Sequence, residues 1–183
     1  RSVSRGLGDV YKRQLGDSPW CRPEMKGHFT LNCLFASQSN RKAISLGVSE
    51  FTTSHFYEIP DLIKNYIRPR VTIVMVSPPD EHGYVSFGTT VDYTRGTADY
   101  CDIKIAQVNK YMPRTFGNSF MHIRDFTCFV EHDEPLPEVK AVEISDTEME
   151  IGKYCASLIN DGDCLQLGIG GIPNAVCAQL WDK

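Results

Sequence analysis

Three glycines fall within four residues at Gly168, Gly170 and Gly171, where the apolar stretch CLQLGIG (164–170) gives way to the run PNAVCAQLW (173–181). Without side chains, such a step lets a ligand approach the backbone. A helix opening near Pro173 would point its free N–H groups at the same place, and the chemistry that suits this is capture of an anion. The pattern departs from the dinucleotide fingerprint G-x-G-x-x-G, because Pro173 and Asn174 stand where that fingerprint packs a helix on glycine. A tight strand-to-helix turn that binds nothing satisfies the same spacing equally well.

A second group of ionisable residues lies in SPPDEHGY (77–84), where Asp80, Glu81 and His82 are adjacent. Side chains of these types perform acid–base work, but Pro78, Pro79 and Gly83 also make this a charged, rigid turn, and the turn is the favoured reading. In NKYMPRTFGNS (109–119), Asn109 and Arg114 are the polar candidates. The fork of Arg114 suits a carboxylate or a phosphate, although an exposed arginine on a turn is the commoner case. His28, His55, His122 and His132 show no metal-ligand spacing, and no metal site is expected. Met75, Met112, Met121 and Met149 read as packing residues.

Seven cysteines (Cys21, Cys33, Cys101, Cys128, Cys155, Cys164 and Cys177) form no C-x-x-C pair. Their odd number and apolar flanks suit free thiols filling a core in a reducing cytoplasm. The chain has 183 residues, 42% of them hydrophobic, a net charge of -4 and a pI of about 5.7. There is no basic stripe, so nucleic acid is excluded as the expected partner. The longest aliphatic run, VTIVMV (71–76), is too short to span a bilayer, and no membrane partner is expected.

The elements that must position these groups alternate. Strand character is read in FTLNCLFA (29–36), FTTSHFYE (51–58), VTIVMV, DIKIAQVN (102–109), FTCFVEH (126–132) and CLQLGIG. VTIVMV is continuous and β-branched, which predicts burial on both faces. A short helix closed by Gly47 is expected over 40–47, and Pro60 opens another in PDLIKNYI. Ser145 and Glu148 form a capping box for a helix whose apolar face reads Ile151, Tyr154, Cys155, Leu158 and Ile159. EPLPE (134–138) reads as an extended linker before that helix. The fold class is therefore α/β, with a largely parallel sheet flanked by helices. Residues 1–14, which open on Arg1, read as an unstructured or foreign tail.

Several stretches, in this order, resemble the acetyl-CoA hydrolase/transferase family. They are FYEIPDLI, VMVSPPDEHGYVSFGTTVDYT, AQVNKYMPRTFGNSF, VEHDEPLPE and GKYCASLINDGDCLQLGIGGIPNAVCAQL. The likeness runs from about Trp20 to Lys183. It implies an incomplete N-terminal CoA-transferase domain of the NagB/RpiA-like type over 15–183, with a C-terminal domain absent. By the same resemblance, Gly168, Ile169, Gly170, Gly171 and Ile172 bind coenzyme A, which enters as an acyl-CoA substrate rather than a permanent cofactor. The nucleophile would be a glutamate beyond Lys183, leaving no catalytic residue in this chain. The implied reaction moves CoA between a short-chain acyl-CoA (4-hydroxybutyryl-, butyryl- or acetyl-CoA) and a carboxylic acid such as acetate. A homo-oligomer is expected of the full-length enzyme. Acyl-CoA hydrolysis and a non-catalytic nucleotide-binding domain are the competing readings.

Overall fold

The computed structural model describes residues 22–25, 28, 30–37, 40–138 and 143–182. The tail expected over 1–14 lies outside the described residues. The chain divides into two compact units, one ending at Glu138 and the other beginning at Val139.

The first unit begins with strand β1 (Leu31–Cys33), helix α1 (Arg41–Ser45) and strand β2 (Ser49–Phe51). β1 and β2 pair in parallel, Leu31 opposite Ser49, so α1 is the crossover between them. The strand expected over 51–58 ends at Phe51, and Phe56–Glu58 turn as a 3-10 helix instead. The helix opened by Pro60 forms as α2 (Ile59–Leu62) and runs on into a wider π turn at Ile63–Ile67. Ile59 and Ile63 are buried with Leu34 and Tyr93.

Strand β3 (Val71–Val76) lies at the edge of a parallel sheet with β5 (Ile103–Val108) in the middle and β7 (Cys128–Glu131) at the other edge. Between them in sequence, β4 (Tyr84–Ser86) pairs antiparallel with β6 (Phe120–His122), and helix α3 (Asp92–Tyr100) covers one side. The core gathers Val74, Val76, Val85, Phe87, Ala98, Ala106, Met121 and Phe126. β3 is buried on one face only. Thr72, Val74 and Val76 point inward, while Ile73 is 41% exposed. Burial on both faces needs a second helical layer, and among the described residues of this unit α3 supplies one through Ala98.

The second unit holds helix α4 (Asp146–Ser157) and helix α5 (Gly171–Cys177) packed together. The capping box forms as expected, with Ser145 N donating to Glu148 Oε2 at 2.8 Å and Glu148 N to Ser145 Oγ at 3.3 Å. The inward face differs from the one expected. Gly152 and Ala156 are buried, whereas Ile151, Tyr154 and Leu158 are exposed, Leu158 at 81%. Small residues win here because they let the helix backbones approach. A Cβ on Gly152 would stand 2.7 Å from the Ala175 carbonyl carbon. The strand expected over CLQLGIG does not form: 163–168 has no regular secondary structure and no strand partner among the described residues. Nor are the cysteines uniformly core fillers: Cys33 and Cys101 are buried, but Cys128, Cys164 and Cys177 are exposed.

Candidate functional site

Because β3, β5 and β7 run parallel, their carboxyl ends at Val76, Val108 and Glu131 share one edge. The segments 77–83, 109–119 and 132–138 all leave from it, where open α/β sheets take their ligands. Two sets of hydrogen bonds tie these segments together. Asn109 is fully buried; its Nδ2 donates to the Glu134 carbonyl at 2.7 Å and its Oδ1 accepts from Tyr111 N at 3.1 Å. Lys110 adds its backbone N–H and its ammonium, both at 2.9 Å, to Asp133. Those bonds, the backbone one foremost, hold the Asp133 carboxyl below the usual carboxylate range.

Arg114 does the same for the 77–84 turn. Its Nη2 donates to Asp80 Oδ2 at 2.8 Å, and its Nη1 reaches the Tyr84 carbonyl at 3.0 Å and the Pro78 carbonyl at 3.2 Å. Asp80 Oδ1 accepts from the backbone N–H of Tyr84 at 2.8 Å and of His82 at 3.0 Å. The Tyr84 bond is the largest cause holding the Asp80 carboxyl below its ordinary value. The polar groups of Asn109 and Arg114 are thus engaged within the fold rather than directed at a substrate. Glu81 and His82 remain exposed at the tip of the turn, 3.6 Å apart. Sequence alone did not show these partnerships, because Lys110–Asp133 and Asp80–Arg114 join residues far apart in the chain with no periodic signal.

In the second unit, Gly168, Ile169 and Gly170 are exposed and lead directly into α5, which begins at Gly171, two residues before Pro173. Gly170 has φ 150° and ψ 179°, a backbone that side chains of L-residues rarely adopt. Ile169 is 78% exposed and Ile172 43%. Gly171 faces α4: a Cβ there would fall 1.9 Å from Glu148 Oε1. Of the five residues expected to form one site, Gly168, Ile169 and Gly170 lie on the loop and Gly171 and Ile172 open α5, with the Glu148 carboxylate against Gly171. Among the described residues no cluster of His, Cys, Asp or Glu could hold a metal ion, and no helix is long and apolar enough to cross a membrane.

Parallel strands connected by helices, with loops gathered at the carboxyl edge, define an α/β protein. Residues 14–140 match the model of the acetyl-CoA hydrolase/transferase N-terminal domain, and the chain belongs to that family. It is 43% identical over 179 residues to 4-hydroxybutyrate coenzyme A transferase of Clostridium kluyveri, covering 97% of this chain and 42% of the relative. It is 40% identical over 156 residues to succinyl-CoA:cyclohexane-1-carboxylate CoA transferase of Geobacter metallireducens, covering 85% and 36%. Among solved structures, RipA from Yersinia pestis superposes with a TM-score of 0.84 at 32% identity over 90% of this chain and 40% of that one. The 4-hydroxybutyrate CoA-transferase of Porphyromonas gingivalis gives a TM-score of 0.70 at 38% identity, over 86% and 42%. The chain thus spans about two fifths of the length of the relatives it matches.

Proposed function

We propose that these residues are part of the N-terminal half of a cytoplasmic CoA-transferase, and that Gly168, Ile169, Gly170, Gly171 and Ile172 contact its coenzyme A. The reaction is transfer of CoA between a short-chain acyl-CoA, such as 4-hydroxybutyryl-, butyryl- or acetyl-CoA, and a carboxylic acid such as acetate. The observation that carries this reading is the 43% identity over 97% of the chain, which takes in both the carboxyl-edge segments and the glycine loop. The exposed loop and the unusual φ of Gly170 support the site. Free thiols at Cys101, Cys128, Cys155, Cys164 and Cys177 suit a reducing compartment.

The chemistry is covalent and ping-pong. A glutamate carboxylate outside these residues attacks the thioester carbonyl, expelling CoA thiolate and leaving a mixed anhydride. The thiolate then attacks the glutamyl carbonyl, releasing the carboxylic acid and leaving a glutamyl-CoA thioester. The acceptor acid reverses both steps. Each attack passes through an oxyanion, for which fixed N–H donors are the needed stabiliser.

The test uses the full-length protein. Incubation with butyryl-CoA and no acceptor should add the mass of CoA, less water, to one glutamate-containing peptide, and acetate should discharge it as acetyl-CoA. Release of free CoA at the same rate with and without acetate would make the protein a hydrolase. No adduct and no turnover would end the reading.

A further inference from the structure

We propose that the Gly168–Ile172 loop receives the neutral pantetheine arm of coenzyme A and leaves the phosphorylated nucleotide end to residues elsewhere. This rests on the reading that the loop is a CoA contact.

An anion-binding loop needs unopposed positive potential, and this one lacks it. The Glu148 carboxylate already stands at the start of α5, with Oε1 against Gly171. Its other oxygen is fixed by the Ser145 backbone N–H and hydroxyl, both at 2.8 Å. Those two bonds favour the ionised form, so the negative charge persists at neutral pH. The helix itself offers little in return. α5 has seven residues, and Pro173 within its first turn carries no N–H. In sequence, residues 139–183 contain seven carboxylates against three lysines, Lys140, Lys153 and Lys183, and the Lys153 ammonium bonds Glu150 at 2.6 Å. A group carrying several phosphates would meet net repulsion here.

What the loop does present is apolar surface and bare backbone. Ile169 and Ile172 are exposed, and among the described residues no hydrogen bond uses the backbone of Gly168 or Ile169. Pantetheine is an uncharged chain with two amides and a pair of methyl groups. Its amides match exposed backbone N–H and C=O groups, and its methyls match isoleucine side chains. Gly170, with no Cβ, leaves that approach open.

Calorimetry on the full-length protein separates the two ends of the ligand. The probes are CoA, pantetheine and adenosine 3′-phosphate 5′-diphosphate, and the variants are Gly170→Ala, Ile169→Ser and Glu148→Gln. Gly170→Ala should weaken CoA by roughly tenfold, the scale set by backbone strain at a disfavoured φ. It should leave the nucleotide unchanged, and pantetheine, where its heat is measurable, should follow CoA. Ile169→Ser, at an exposed position that folding tolerates, should weaken CoA several-fold without touching the nucleotide. Glu148→Gln should leave the nucleotide affinity and its salt dependence as they were. Equal loss of nucleotide and CoA in the loop variants, or a tighter nucleotide in Glu148→Gln, would overturn the proposal while keeping the loop as a CoA contact. If neither loop variant changed CoA binding, the loop assignment itself would fall.

Discussion

Arg114 and Asp80, 34 residues apart in sequence, meet at 2.8 Å and close the 77–84 turn like a buckle. Nη1 of the same guanidinium also holds two backbone carbonyls of that turn, Pro78 and Tyr84. A lysine could satisfy one of these acceptors, not the set. Arg114→Lys should therefore lower the melting temperature by several degrees, and Asp80→Asn should do much the same. The double variant should be little worse than the poorer single one, because both remove one network. Additive losses would show that the two residues act separately.

The Asp80 carboxyl also sets a pH dependence. Its folded pKa lies below the ordinary 3.8, chiefly through the Tyr84 N–H, so its contribution is present above the unfolded value. That contribution is lost as pH falls through the lowered folded value. Denaturation midpoints of the parent and Asp80→Asn should differ by a constant amount from neutral pH down to about pH 5. The difference should close in more acidic solution. A gap that widened on acidification would have the wrong sign.

Asn109→Ala removes a buried amide and strands the N–H of Tyr111 and the carbonyl of Glu134. Fully buried, each such group would cost about 1–3 kcal/mol; Tyr111 and Glu134 are exposed residues and the two bonds are half-buried, so the expected loss is about 1 kcal/mol in all. The midpoint of urea unfolding is the readout, and a loss under half a kcal/mol, about the noise of surface substitutions, would mean water replaces the side chain.

The two tight glycines of the second unit should respond differently to alanine. At Gly152 the new Cβ meets the carbonyl carbon and oxygen of Ala175, backbone that cannot turn aside. Overpacking of this kind costs about 1–3 kcal/mol. At Gly171 the obstacle is the end of the Glu148 side chain, which can swing away by giving up its bonds to Ser145. Gly171→Ala should thus cost no more than losing the capping box through Ser145→Ala, and less than Gly152→Ala. Thermal melts of the three variants give the order directly.

Local signals were legible in the sequence and partnerships were not. VTIVMV, the Ser145–Glu148 capping box and the Pro60 helix start each depend on neighbouring residues, and each forms. α3 went unread because DYTRGTADY carries glycine and threonines that favour no helix alone. Tertiary burial of Tyr93, Thr94, Thr97 and Ala98 overrides that weakness. The face of α4 was misread for a related reason: periodicity marks large apolar residues, while contact with α5 selects the smallest ones, Gly152 and Ala156. The glycine loop was legible as a break in regular structure before a helix, and Gly168, Ile169 and Gly170 are exposed there. The carboxylate beside it was not legible, since Glu148 is also the residue a capping box requires.

Every pairing in the sheets of the first unit joins strands distant in sequence: Val71 with Ile103, Ile105 with Cys128, Tyr84 with His122. Among the described residues no short hairpin is available to nucleate them. A folding chain must close long loops before any ladder rewards it, which places such topologies at the slow end of small-domain kinetics. Stopped-flow refolding should accordingly show the first unit consolidating in milliseconds to seconds, after the local α4–α5 pair has formed in microseconds to milliseconds. During that interval the aliphatic run from Val71 to Val76 is unshielded, so recovery from denaturant should fall as protein concentration rises.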